Sequence, residues 1–257
     1  MLLTSFGVLA GFIILLVAIG GSGLETLSSF AQPHALIIVF GGIIAASLIS
    51  FRPNQLRGMA HGLRLIFRND PHMDNEIAQL VKFTADYVRK DLRAAEQTIA
   101  GTTSPFLKLG FQLVLDNTPL DDLMRVLEWR IRQMKEDESS ISRCYRSLAG
   151  FAPAFGMVGT LAGLVSMLAA VQAENIEPIA QGMALALVAT LYGVILCYLV
   201  FRPISLKLEQ RTNRRVFMLH VLMDGLVLIS TGRGPAMVED NLRHLMQENR
   251  DEVRGVD

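Results

Sequence analysis

Four stretches of the chain, about 2–19, 34–51, 150–171 and 180–201, are apolar and contain no Asp, Glu, Lys or Arg. Each is close to the ~20 residues a helix needs to cross the hydrocarbon core of a bilayer. The third carries more than hydrophobicity. In the 22 residues from Gly150 to Val171, Gly156, Gly159, Thr160, Gly163, Ser166 and Ala170 recur at helical spacing, while Leu161, Leu164, Val165 and Leu168 take the other side. A stripe of small residues, here including the Gly159-x-x-x-Gly163 pair, lets another helix backbone approach closely. The fourth run repeats the pattern, with Ala186, Ala189, Thr190, Gly193 and Cys197 on one face. Two small-faced helices are expected to receive other helices, with Gly156, Gly159, Gly163, Ala186 and Gly193 packing on a partner.

Outside these runs the periodicity is that of amphipathic helices. Ile77, Leu80, Val81, Val88, Leu92, Ala95 and Ile99 follow the i, i+3, i+4 rule and predict one helix, whose other face carries Asp86, Arg89, Lys90, Arg93 and Glu96. A turn at Gly101–Ser104 precedes a short helix over about 105–115. Thr118-Pro119 opens the next, with Asp121 and Asp122 in its first turn, where the helix dipole favours acids. Leu120, Leu123, Leu127, Met134, Ile141 and Tyr145 mark its buried side. No breaker stands between Leu120 and Ser147, so one long rod is predicted to run into the third apolar segment. The fourth is predicted to continue past Pro203. A loop at Thr231–Gly234 then leads to a terminal amphipathic helix from Pro235 to about Arg250. Pro33 suits the first position of the second span, where a missing N–H costs nothing, and Phe51-Arg52-Pro53 closes that span.

Charge fixes the topology. The 257 residues are 51% hydrophobic with no net charge, and the mean hydropathy of +0.38 exceeds the soluble norm. Of the 24 basic residues, 15 lie in Arg52–Ser147 and 9 in Arg202–Asp257. The pieces expected outside, Gly20–Pro33 and Gln172–Ile179, carry only Glu25, Glu174 and Glu177. The positive-inside rule puts the two basic segments and both termini in the cytoplasm. The first run lacks a basic n-region and is longer than a signal-peptide core, so it is expected to be retained. Cys144 and Cys197 fall inside or within the membrane, which disfavours a disulfide. The expected fold is an all-α membrane protein with four transmembrane helices, the third and fourth extended into a helical cytoplasmic domain. Its regions are 1–51 (outer, lipid-facing helices), 52–147 (cytoplasmic domain), 148–203 (inner helices) and 204–257 (cytoplasmic tail).

No enzymatic motif accompanies this plan. The sequence holds no metal-ligand spacing, nucleophile–base set or phosphate loop, and His34, His61, His72, His220 and His244 are scattered. A membrane ion path usually needs an ionisable group within the bilayer, and none of the four runs has an Asp, Glu, Lys or Arg. Either the chain conducts nothing or another polypeptide supplies the carboxylate; the small stripes favour the second. Thr160 and Thr190 can offer oxygens to a cation, or each can bond back to its own i−4 carbonyl and do nothing more.

The residues Ala152-Pro153-Ala154-Phe155-Gly156-Met157-Val158-Gly159-Thr160-Leu161 and Met183-Ala184-Leu185-Ala186-Leu187-Val188-Ala189-Thr190-Leu191-Tyr192-Gly193 resemble the flagellar motor stator A-subunit, the MotA/PomA family. Pro203 and Leu222-Met223-Asp224-Gly225 add to the likeness, which covers nearly the whole chain. The resemblance implies a homopentamer around a dimeric, MotB- or PomB-like B-subunit that brings the missing aspartate. Cation flow would then turn the ring against the rotor through the switch protein FliG, in the bacterial inner membrane, with no enzyme activity, cofactor or nucleic acid. It places Arg89, Lys90, Arg93 and Glu96 toward the rotor and Thr160, Thr190, Pro153 and Pro203 along the ion path. Thr160 resembles sodium-type members, where proton-type members usually have alanine, so Na+ is the expected ion and H+ the alternative. An ExbB/TolQ-type energiser of a periplasmic partner is the neighbouring possibility within the superfamily.

Overall fold

The computed structural model describes residues 30, 32–66, 73–171 and 176–254, and all its regular elements among them are helical. The predicted first span, 2–19, lies outside the described residues. Among the described residues, three helices are long and apolar enough to cross a membrane: Pro33–Ser50 and parts of Leu120–Val171 and Ile176–Ser230. The chain groups into two compact units, one made of residues 1–69 and 139–209, the other of 70–138 and 210–257. Residues 52–66 thus pack with the apolar helices, although the sequence places them with the charged block.

In the first unit, α1 (Pro33–Leu36) passes through a π-helical turn at Ile37–Gly41 into α2 (Gly42–Ser50). Phe51 is extended and ends the helix, and Pro53, in the sequence only a closing signal, opens α3 (Pro53–Ile66). Proline at a first helical position loses no hydrogen bond. The inner helices are the distal part of α7 (Leu120–Val171) and α8 (Ile176–Ile195). A π-helical segment, Leu196–Phe201, joins α8 to α9 (Arg202–Ser230). Its position has a cause: Pro203 has no N–H to give and its ring crowds the carbonyl four residues back, and the widened turn just before it relieves both.

The second unit contains α4 (Met73–Val88), α5 (Leu92–Gly101), α6 (Pro105–Leu115) and α10 (Pro235–Arg254), with the proximal part of α7 and the distal part of α9. Its core joins Leu80 and Phe83, Ala95 and Ile99, Leu107 and Phe111, Leu123 and Leu127, Leu222 and Leu226, and Leu242. The Phe83 and Phe111 rings stack with centroids 4.0 Å apart. Gly110 admits the Leu226 side chain, and a Cβ on Gly225 would meet Leu80 and Leu242 at 3.1–3.2 Å. The glycine of the Leu222–Gly225 motif is therefore a packing residue. Leu120 is 38% exposed, and Ile131, at 2%, takes its place on the buried side of α7.

The single helix predicted across 77–99 is two. Lys90 stands at φ +58°, with its N–H donating to the Tyr87 carbonyl and the Asp91 N–H to Asp86. Those two bonds form a Schellman stop. Asp91 then caps α5 by accepting from the Ala94 N–H. Asn117 and Gly232 end α6 and α9 in the same way, at φ +51° and +80°. Val88 and Leu92, which the periodic pattern buried, flank the break and are 50% and 62% exposed.

Candidate functional site

The apolar segments build a seam between α7 and α8, and small residues decide how close the two helices come. A Cβ on Gly193 would lie 2.6 Å from the Ala152 carbonyl oxygen and 3.2 Å from the Cα atoms of Pro153 and Gly156. One on Gly163 would lie 2.5 Å from the Gly182 oxygen and 2.8 Å from the Ala186 nitrogen. Gly156 faces Ala189 and Thr190 at 3.1–3.3 Å by the same measure, and Gly159 abuts Ala189. The stripes predicted to receive another chain thus close on each other within this one. Gly156, Gly159, Gly163, Ala186 and Gly193 are spent in the seam. The physical reason is complementarity: two small faces on consecutive antiparallel helices fit one another first, and their backbones gain van der Waals contact that lipid cannot match.

What remains open is the apolar side. Met157, Leu161, Leu164, Val165 and Leu168 of α7, and Met183, Leu187 and Val194 of α8, are all exposed. Ser166, placed on the small stripe by its spacing, is exposed as well. On the opposite flank, Gly42 of α2 makes room for the Phe155 ring, and the Tyr192 hydroxyl donates to the Phe30 carbonyl.

Three of the four candidate ion-path residues, Pro153, Thr160 and Thr190, lie along the seam. Pro153 lies within α7 against Gly193, and Thr190 lies against Gly156. Thr160 is one helical turn beyond Gly156 on the same face. Both hydroxyls bond back to their own helix, Thr160 donating to the Met157 carbonyl at 2.6 Å and Thr190 to Ala186 at 3.1 Å. This satisfies the donor of each and leaves oxygen lone pairs as the only remaining polar capacity. Pro203 sits beyond the π segment at the start of α9. No group of three or more His, Cys, Asp or Glu suited to a metal occurs among the described residues.

The second candidate group belongs to the other unit. Arg89 and Lys90 lie in the turn between α4 and α5, and Arg93 and Glu96 on α5. All four are exposed. The predicted single charged face is therefore a corner made by a turn and the helix after it. Asp86, assigned to the same face, turns inward and accepts from the Thr98 hydroxyl at 3.0 Å. Elsewhere in this unit, Glu138 of α7 holds Arg215 and Thr212 of α9. Burial pushes the Glu76 carboxyl above its ordinary 4.5, while the Ser104 side chain and the Arg215 charge pull it down. The Glu76 Oε2 and Gln79 Oε1 atoms are buried with no hydrogen-bond partner.

A model of the MotA/TolQ/ExbB proton channel family matches residues 99–220. The chemotaxis protein PomA of Vibrio alginolyticus is 32% identical over 255 residues, covering 97% of this chain and 96% of its own length. YtxD of Bacillus subtilis (strain 168), itself uncharacterized, is 33% identical over 93% of this chain and 88% of its own. The fold matches the flagellar MotAB stator complex from Bacillus subtilis with a TM-score of 0.83 over 98% of each chain, at 22% identity. It matches C. jejuni MotAB with a TM-score of 0.85 over 95% of each, also at 22%. With that identity to PomA along nearly the full length of both chains, the protein belongs to the MotA/PomA family of flagellar stator A-subunits, within the MotA/TolQ/ExbB group.

Proposed function

We propose that this chain, with a MotB- or PomB-like B-subunit, forms a cation-driven stator that converts ion flow across the bacterial inner membrane into torque. The observation that carries the reading is a mismatch between chemistry and architecture. The seam holds Thr160, Thr190 and Pro153, which the family likeness places along an ion path, yet the apolar runs contain no Asp, Glu, Lys or Arg. An intramembrane path needs a titrating group, so a partner's carboxylate completes it. That both structures compared above are MotAB assemblies supports a B-type partner here. With the seam glycines occupied within the chain, the partner and further copies of this chain meet the exposed rim of Met157, Leu161, Val165 and Leu168. A pentameric ring around a B-subunit dimer is the arrangement proposed, with both termini cytoplasmic.

Sodium is the proposed ion, and the carrying residue is Thr160. Its hydroxyl oxygen, with the proton turned to Met157, keeps lone pairs free to replace part of a cation's hydration shell. The charged corner of Arg89, Lys90, Arg93 and Glu96 is the proposed contact with the rotor protein FliG. The test is rotation of tethered cells expressing the chain with a B-type partner, with sodium replaced by potassium at fixed pH. Rotation that stops without sodium supports the assignment, and Thr160→Ala should then impair sodium-driven rotation while leaving insertion intact. Rotation that persists makes the unit proton-driven and returns Thr160 to packing.

A further inference from the structure

Helix α3 has three strips rather than two. Met59 and Gly62 are buried and Gly58 is half-buried. A Cβ on Gly62 would meet Ile141 at 3.0 Å and Leu208 at 3.7 Å, and the Met59 carbonyl accepts the Tyr145 hydroxyl at 2.9 Å. This strip ties the helix to α7 and α9. A second strip, Leu56, Ala60 and Leu63, follows i, i+4, i+7 spacing; Leu56 is half-buried against the core of this unit, while Ala60 is exposed and Leu63 is 41% exposed. The third, Arg57, His61 and Arg64, has the same spacing about a quarter-turn away and is exposed throughout.

Two observations place this helix at a membrane surface. It begins at Pro53, three residues after the apolar helix ends at Ser50. Its anchor on α7, Ile141 to Tyr145, lies within about 14 Å of Gly150, taking 1.5 Å per residue, and the last charge before that apolar run is Arg146. The charge is one-sided: Phe51–Asn69 holds Arg52, Arg57, Arg64 and Arg68 and no acid. Among the described residues, the ion pairs of this unit include Arg146 with Glu209 at 2.5 Å, while Arg57 and Arg64 are in none.

We propose that α3 is a lipid-recognition helix: Ala60 and Leu63 rest at the acyl-chain boundary while Arg57, His61 and Arg64 take the phosphate-bearing headgroups of anionic phospholipids. An apolar strip beside an uncompensated basic strip, anchored at the end of a span, is the pattern of an interfacial helix attracted to anionic lipid. The proposal needs only that Pro33–Ser50 crosses the membrane, not that the chain drives a rotor, so the two readings fail separately.

The test is lipid selectivity of the full-length protein reconstituted in phosphatidylcholine vesicles, read by electron spin resonance of trace spin-labelled phosphatidylglycerol against spin-labelled phosphatidylcholine. The wild type should prefer the anionic label by roughly fivefold, and high salt should remove most of that preference. Arg57→Gln with Arg64→Gln should bring it toward one, whereas Arg57→Lys with Arg64→Lys should retain it. No preference in the wild type, or an unchanged preference in the glutamine pair, overturns the proposal. A glutamine pair that keeps its preference but changes oligomeric mass assigns the face to a second copy of this chain instead. Should the glutamine pair fail to insert, the wild-type preference and its loss in salt decide the matter alone.

Discussion

At the residue scale, glycines of similar appearance in the sequence have opposite meanings. Gly193 has the Ala152 oxygen 2.6 Å from where a Cβ would sit, whereas around Gly150 nothing lies within 4 Å. Gly193→Ala should therefore cost about 1–3 kcal/mol through overpacking, read as a lower thermal midpoint of the purified protein. Gly150→Ala should gain about 0.5–1 kcal/mol by removing a mid-helix glycine. Glu76 gives a prediction with a sign. Because burial raises its carboxyl above the usual 4.5, the folded state binds that proton more tightly than the unfolded chain. The resulting cost is absent at pH values below the unfolded pKa, grows as pH rises toward the folded one, and is complete above it. Glu76→Gln should raise the midpoint at neutral pH, by up to about 1 kcal/mol in this half-buried setting, and the gain should vanish below about pH 4. A gain that persists in acid would assign the effect to packing.

At the element scale, the break between α4 and α5 is what turns a charged helix face into a charged corner. Lys90 occupies the left-handed region, which costs a non-glycine residue about 1–2 kcal/mol. Lys90→Gly should recover about 1 kcal/mol of stability and Lys90→Val should lose more than that, measured by thermal unfolding. Asp91→Ala removes the bond to the Ala94 N–H and should cost about 1 kcal/mol. If a continuous helix formed instead, Lys90→Gly would destabilise. The same variants separate local order from rotor contact: Lys90→Gly removes one charge while making the turn more favourable, so a loss of torque with raised stability would belong to the charge.

At the scale of the whole molecule, two separately packed units should respond separately. Phe83→Ala breaks the stack with Phe111 and should cost the second unit about 3–5 kcal/mol. Membrane insertion depends on the apolar segments alone. Limited proteolysis of membranes should therefore show early cleavage within 70–138 while the protein remains in the membrane fraction. Loss from the membrane would mean that the bundle is needed for insertion.

The sequence by itself determined the spans within the described residues, the long rods on either side of Pro153 and Pro203, and the family, because charge-free runs and helical period are local properties. It also located α6 and α10, whose starts are marked by Pro105 and Pro235. Only the tertiary structure decided three things. It ended α4 at Lys90, a residue with no intrinsic claim to a left-handed turn, because burying Ala95 and Ile99 beside Leu80 and Phe83 required the chain to reverse. It turned Pro53 from a stop into a start, through the contacts of α3 with Ile141 and Leu208. And it closed the glycine stripes on each other. Spacing shows that a face is small enough to be approached; which helix approaches it is a property of the packed chain.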